Sequence, residues 1–515
     1  YVMMFFPRVM CVLLLVSCML SMANGARILG IAPIPMYSHQ LVFRTLWKGL
    51  SLKGHQVTVL TTHPSGDPAL TEIDLNVPHR LLHVINSSTS TPELVRQFNR
   101  EMIRIVDEQL GSAPVRELIA DPSASFDLVI AEYYYTGMFA FAERFRCPSI
   151  GIISVDGLVP IYKTMGNPTH PVVYPEGIFA MEGQGLMERV ASVVAYFVSI
   201  YMFHGLHADQ QEVVAKHFGG GYPAVAQMAS EISLLFVNAD PVFHQVRPLV
   251  PAVVQIGGGF QRAPAKPLPK ELKAALDAAR QGFIYFSLGS SVRNEFLPPD
   301  SLKAIMKTFG ELPFVVLWKF DRDDLPGKPE NVMVSQWVPQ QDVLRHPNIK
   351  LFITQGGLQS MDEAIYEHVP MVGIPFYGDQ PFNVKKMVRK GFGLELDYRT
   401  LNKEQFKAAV LEVINNPKYK STLKYLAELA QDQPMTGLEK AVWWSEYVIR
   451  HKGAKHLRSP LLDIPWYQYL LLDVIGIIVV TVAVALYLIY FLLKSLVRLV
   501  KYIFRSKPKR KQKKN

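Results

Sequence analysis

Cysteine is almost missing from this chain of 515 residues, which has only Cys11, Cys18 and Cys147. The first two fall in an N-terminal apolar run that reads as a secretory signal, so Cys147 alone is expected to survive processing. A single thiol excludes an intrachain disulfide, and the apolar core must hold the fold unaided. No Gly-x-Gly-x-x-Gly follows any strand-like run, which argues against a dinucleotide-dependent oxidoreductase. No short-period repeat is present. Acids are missing where it matters most: residues 494–515 hold ten Lys or Arg and no Asp or Glu. Setting those ten aside leaves 44 basic residues against 44 acidic, so the net charge of +10 belongs to the tail. A neutral body argues against nucleic acid as a partner, and none is expected.

Hydropathy marks both ends. Residues 1–25 carry Arg8, the run "VMCVLLLVSCML" and the small residues Ala23-Asn24-Gly25, the layout of a cleaved signal peptide. The initiating residue is expected at Met3 or upstream of Tyr1. Residues 474–493 are twenty positions without a charge, enough for one transmembrane helix. Trp466, Tyr467 and Tyr469 precede it, where amphipathic rings favour a membrane interface. The basic tail 494–515 then belongs in the cytosol against anionic lipid, which predicts a single-pass type I protein with a luminal body. Its end, "KQKKN", is either a dibasic endoplasmic-reticulum retrieval signal on Lys511 and Lys513 or a generic stop-transfer tail. A luminal body agrees with a glycosylation acceptor at Asn86-Ser87-Ser88, whereas Pro168 blocks the similar triplet at Asn167.

Between these ends, apolar runs alternate with amphipathic stretches. "ARILGIAP", "HQVTVLTT" and "FDLVIAE" have strand character, and "HQLVFRTLWKGLSLKG" has helical character. Such alternation predicts an α/β fold of parallel sheets covered by helices. Residues 251–269, with three consecutive Gly and four Pro, have the texture of a linker. Beyond them "GFIYFSLGS", "PFVVLWKF", "NVMVSQW", "KLFIT", "VPMVGIPF" and "FGLELD" form a second series. Two αβ domains are expected, over 26–255 and 271–460, joined by 256–270. Residues 190–203, "VASVVAYFVSIYMF", are almost wholly apolar but too short to cross a bilayer. They are expected to be buried or to line a pocket, with contact at a membrane surface as the alternative.

In an open parallel sheet, ligands bind beyond the carboxyl ends of the strands. Four polar segments of the second half fall there. They are "SLGSS" with Ser287 and Ser290, "WVPQ" with Trp337 and Gln340, "QGGLQS" with Gln355, Gly357, Gln359 and Ser360, and the pair Asp379-Gln380. Gly356 and Gly357 permit close approach to the backbone, and the helix start after them offers free N–H groups to a phosphate. Glu363 suits vicinal ribose hydroxyls, Trp337 a planar base, and Asp379-Gln380 the hydroxyls of a sugar. Each has a plainer reading. Ser360-Met361-Asp362-Glu363 also spells a capping box, Trp337 also suits a core, and Asp379-Gln380 before Pro381 also suits a turn.

From Trp337 to Gln380, "WVPQQDVLRHPNIKLFITQGGLQSMDEAIYEHVPMVGIPFYGDQ" resembles the donor-binding signature of the membrane-bound UDP-glycosyltransferases of animals. The likeness continues through "AVWWSEYVIRHKGAKHLR" and includes the signal, anchor and basic tail, so it spans nearly the whole chain. It implies the GT-B architecture, two Rossmann-like domains facing a cleft, with donor on the C-terminal domain and acceptor on the N-terminal one. It also implies roles: Trp337 on uracil, Gln340 and Glu363 on the ribose, and Asp379 and Gln380 on the transferred sugar. Ser287, Ser290, Gln355, Gly357, Gln359 and Ser360 would surround the pyrophosphate. The family keeps a catalytic His after the first strand, where "IPMYSHQ" places His39, and a neutral imidazole suits removal of an acceptor proton. Glu132 stands where the family usually has Asp. It would orient His39 as the acid of a Ser-His-Asp triad does; otherwise it is a strand-end surface acid. Gln355 replaces the usual His, as in the insect branch, and exchanges a charge-assisted phosphate contact for an amide donor.

The activity so implied is inverting, metal-independent transfer from a UDP-sugar to a hydroxyl of small lipophilic acceptors such as phenols, of conjugation or detoxification type. UDP-glucose is expected as donor, with UDP-glucuronate as the alternative, in the endoplasmic-reticulum membrane. The UDP-sugar is a co-substrate, no bound cofactor or metal is expected, and the oligomeric state stays open, a homo-oligomer included. Asp321-Arg322-Asp323 matches the metal motif of a different glycosyltransferase fold but sits in a polar loop. His204 and His207 lack a further ligand at metal spacing. A catalytically inactive, membrane-anchored carrier of small lipophiles is the rival reading; it would keep a pocket but dispense with His39.

Overall fold

The computed structural model describes residues 25–78, 91–175, 185–322 and 325–505. Most of the signal segment, Asn86, Asp323 and the end of the basic tail from 506 onward lie outside the described residues. The chain divides into two compact units, one through Arg458 and one from Ser459.

The first unit contains two sheets whose neighbouring strands all run parallel. The first comprises β1 (Arg27–Ala32), β2 (Gln56–Thr61), β3 (Leu70–Asp74), β4 (Leu128–Glu132), β5 (Ser149–Ile153), β6 (Leu234–Val237) and β7 (Val253–Gln255), in the order β3-β2-β1-β4-β5-β6-β7. The chain walks outward from β1 to β3, then returns to lay β4 on the other side of β1. Loops leaving β1 and β4 therefore diverge and open a crevice at their carboxyl ends. The second sheet comprises β8 (Phe283–Ser287), β9 (Val315–Lys319), β10 (Val332–Ser335), β11 (Ile349–Thr354), β12 (Met371–Gly373) and β13 (Gly393–Glu395). Its order, β10-β9-β8-β11-β12-β13, puts the same switch between β8 and β11.

Strands covered on both faces read as continuous apolar runs. β4 is buried end to end, and β8 sends Ile284 and Phe286 into one core and Phe283 and Tyr285 into another. Three more strands, β3, β5 and β6, join the runs legible in the first half. β7 lies inside the stretch expected to be linker: Pro251 precedes an edge strand, where a missing N–H is tolerated. The chain also returns to the first sheet after completing the second. In the helix Gly437–Arg450, Ala441, Val442 and Val448 join the first sheet's core, and the helix packs on Tyr37–Leu52.

The apolar stretch 190–203 lies in the N-terminal half of a longer helix, Leu186–Phe218, which by length and composition is long enough to cross a membrane. One face is packed in the unit through Tyr196, Phe203, Leu206 and Val214, while Leu186, Val190, Val194, Phe197 and Tyr201 are exposed. In the second unit the helix Leu472–Arg505 includes the uncharged run 474–493 and is about 50 Å long at 1.5 Å per residue. It too is long and apolar enough to cross a membrane, and its apolar side chains are exposed throughout.

Candidate active site

Met36, in extended conformation, leads into the helix Tyr37–Leu52 and sets His39 in its first turn, beyond β1. Nδ1 of His39 lies 2.8 Å from Oε1 of Glu132, the last residue of β4. Glu132 is 2% exposed and His39 20%, so the surface-acid reading of Glu132 is overturned. Oγ of Ser154, just past β5, lies 2.8 Å from the same nitrogen. With Nδ1 turned to an acid, Nε2 is the nitrogen left to meet a substrate.

Across the crevice the second sheet presents its own loops. The helix Leu358–Tyr366 is capped by Gly357 without a side-chain bond, so Ser360 and Glu363 lie inside it and the capping box does not form. Glu363 is instead a buried acceptor: Oε2 takes the Gln340 amide at 2.7 Å and Oε1 the Gln341 amide at 2.8 Å. Burial pushes its carboxyl up, against the pull of these two donors. Gln340 also donates to Oγ of Ser360 at 3.0 Å and accepts from the Tyr285 hydroxyl at 3.1 Å. Trp337 is 56% exposed, with the Tyr37 ring edge-on at 4.9 Å and Nζ of Lys319 5.7 Å from its centroid. The core reading of Trp337 is therefore wrong.

The loop residues differ in what they leave free. Gly356 has φ 88°, and a Cβ there would come within 2.3 Å of Val384, so the turn after β11 requires glycine. Gln355 is buried, accepts from the Thr354 hydroxyl at 3.1 Å and packs its amide nitrogen against Gly289. Ser290 is exposed. Ser287 is wholly buried and its Oγ accepts from the Gly289 N–H at 3.2 Å, so it shapes the loop from beneath. Gln359 donates to the Ser154 carbonyl at 2.8 Å, across to the first sheet. Oδ2 of Asp379 accepts from Asn383 at 2.7 Å; burial raises its carboxyl, while the nearby Asn383 amide and the charge on His39 oppose that rise. Oε1 of Gln380 takes the N–H groups of Phe376 and Tyr377 at 3.0 and 3.2 Å and fixes that turn.

His39, paired with Glu132, lies near enough to Asp379 across the crevice for the two to interact electrostatically, with Trp337, Gln340, Ser360 and Glu363 grouped farther along the second sheet. Ser154, Gln341 and Tyr37 belong to this constellation and were not singled out from sequence. Gln341 had a signal, its place beside Gln340; a lone Ser after a strand has none. Asp321 accepts from the Asn294 N–H at 2.6 Å, and no metal-like group of three His, Cys, Asp or Glu occurs among the described residues. His207 packs edge-on against Phe203 at 4.6 Å, and burial lowers its pKa to about 4.

Residues 28–510 match the family described as UDP-glucoronosyl and UDP-glucosyl transferase. The chain belongs to that family. It is 34% identical to UDP-glucosyltransferase 2 of Dactylopius coccus, over 98% of this chain and 99% of that one. It is 30% identical to UDP-glucuronosyltransferase 2C1 of Oryctolagus cuniculus, over 88% and 95%. Among solved structures, Arabidopsis thaliana UGT89C1 complexed with UDP-L-rhamnose superposes with a TM-score of 0.56 at 16% identity, covering 83% of this chain and 99% of that one. The fold is GT-B, and the protein is a glycosyltransferase whose donor class is a UDP-sugar.

Proposed function

We propose that this transferase moves glucose from UDP-glucose to a hydroxyl of small lipophilic acceptors, with inversion, on the luminal side of the endoplasmic-reticulum membrane. The observation that carries the chemistry is the 2.8 Å contact between His39 and buried Glu132 at the crevice of the first sheet. Nε2 of His39 takes the acceptor's O–H proton as that oxygen attacks the anomeric carbon. The bond from that carbon to UDP breaks, and UDP leaves from the opposite face. Glu132 stabilises the imidazolium that forms.

On the donor side, Trp337 takes the uracil face, Gln340 and Glu363 the ribose, and the Gly356-Gly357 turn with Ser360, Gln355 and Ser290 the pyrophosphate. Asp379 and Gln380 take the sugar. This division assigns the acceptor to 26–255 and the donor to 271–460. Glucose is favoured by the glucosyltransferase relative, which is matched over more of both chains than the glucuronosyltransferase. The helix Leu472–Arg505 anchors the enzyme, with residues 494–515 cytosolic.

The test is transfer by the solubilised full chain from UDP-glucose or UDP-glucuronate to a panel of phenols and alcohols, with product configuration read by NMR. A β-glucoside from the α-linked donor is expected. Transfer from UDP-glucuronate alone would overturn the donor assignment. Bound UDP with no transfer from any UDP-sugar would favour the carrier.

A further inference from the structure

We propose that Ser154 is a positioning residue for His39, and that it links the base to the helix Leu358–Tyr366 of the donor side. The inference rests on the reading of His39 as base. Glu132 holds His39 at one point only: Oε1 meets Nδ1, while Oε2 is buried without a hydrogen-bond partner among the described residues. A ring held at one point keeps freedom to swing about it. Ser154, 1% exposed, supplies a second point, its Oγ 2.8 Å from the same Nδ1.

One N–H facing two oxygens is shared between them, and the sharing fixes both tautomer and ring plane. The carboxylate is what keeps the proton on Nδ1. A hydroxyl alone would also donate to a bare Nδ1, which moves the proton to Nε2 and spoils the base. Ser154 therefore works with Glu132 and does not substitute for it.

The backbone of Ser154 is held as firmly as its side chain. Its carbonyl accepts from Nδ2 of Asn238, after β6, at 3.0 Å and from Nε2 of Gln359 at 2.8 Å. Gln359 is buried in the first turn of Leu358–Tyr366, the helix whose start faces the proposed pyrophosphate. A shift of that helix thus reaches His39 through one residue, carbonyl on one side and hydroxyl on the other. Gln359 is then a strut between the two sheets, where the family resemblance made it a phosphate neighbour. The two roles predict opposite outcomes.

The experiment compares steady-state kinetics of the full chain and its variants with an alcohol acceptor, alongside calorimetry with UDP. Ser154→Ala should lower kcat about tenfold, the scale of one lost hydrogen bond to a charged group, with UDP affinity unchanged. The acid limb of its pH profile should move to lower pH, because the imidazolium loses one of two acceptors. Ser154→Thr should restore both. Ser154→Cys keeps the volume with a poor acceptor and should show the same shift if the Ala variant folds badly. Gln359→Leu should lower kcat while UDP still binds normally; lost UDP affinity would overturn the strut. Wild-type kcat and pH profile in Ser154→Ala and Ser154→Cys would overturn the positioning role. His39→Ala, run beside them, separates the failures: if it retains turnover, the base assignment falls and this inference with it. If it is inactive while the Ser154 variants behave normally, only this inference falls.

Discussion

The ring of Tyr37 meets the indole of Trp337 edge to face, 4.9 Å between centroids at 88°. One sits on the helix that carries His39, the other on the loop after β10. An exposed Trp costs apolar surface left in water, and here it is braced by an aromatic from the opposite sheet and by Lys319. Such an indole offers a face for a planar base.

Trp337→Ala should therefore weaken UDP binding by about 1–3 kcal/mol, the scale of base stacking on an aromatic side chain. Because Trp337 is exposed, its loss should leave the thermal unfolding temperature nearly unchanged. Tyr37→Ala should weaken UDP less, since its ring meets only the indole edge. Calorimetry with UDP decides, and intact affinity in Trp337→Ala removes the base platform.

Glu363 yields a prediction with two opposite signs. Burial raises its carboxyl above the usual range. A ribose diol needs the ionised acceptor, so affinity for UDP-glucose should rise with pH as the carboxyl loses its proton. Stability runs the other way. A carboxyl whose folded pKa is raised holds its proton more tightly in the native state, and the stability it contributes at acid pH is lost as pH rises through the folded value. As pH rises through the raised pKa of this carboxyl the wild type should gain affinity and lose a little stability, while Glu363→Gln shows neither trend and binds more weakly. Equal affinity of wild type and Glu363→Gln across that rise in pH would mean the carboxylate only braces Gln340 and Gln341.

These two residues also show what was legible in the sequence. The two-sheet fold was readable because strands buried on both faces leave continuous apolar runs such as those of β4, β8 and β11. The short edge strand β7 was hidden because its flanking Pro and Gly look like linker. The Gly356-Gly357 turn was legible because a parallel sheet gathers its strand-end loops at one edge, whereas His39 and Glu132 were reached through the family resemblance. Side-chain direction was not legible. The pattern Ser-x-x-Glu fitted a capping box, and only the turn at Gly357 shifts it one turn into the helix, where Glu363 meets Gln340 and Gln341. Gln359 and Ser154 lie 205 positions apart, and no local pattern could pair them.

The membrane reading is tested in sealed microsomes. The proposed topology rests on the asymmetry of charge around Leu472–Arg505 and puts the basic side in the cytosol and the large unit in the lumen. Added protease should trim only the tail, and a glycosidase should reduce the mass if Asn86 is used. Digestion of the large unit without detergent would reverse the orientation.

The catalytic pair gives the most exacting prediction. Nδ1 of His39 and Oε1 of Glu132 are 2.8 Å apart and Glu132 is buried, so under the proposed mechanism an imidazolium at His39 would be stabilised by a carboxylate shielded from water. His39→Ala should bind UDP normally and lose turnover by about 10²–10⁴, the usual contribution of a positioned general base. Phenols that ionise readily need less help with the proton, so they should lose less than aliphatic alcohols. Glu132→Gln should lower turnover because an amide stabilises an imidazolium less than a carboxylate does. Glu132→Asp shortens the reach by one methylene. Since Oε1 already sits at hydrogen-bond distance, the shorter acid should open the contact and recover only part of the activity. Full activity in Glu132→Asp would mean that β4 or the loop after β1 adjusts to either length. Near-normal turnover of His39→Ala with an aliphatic alcohol would remove His39 as the base.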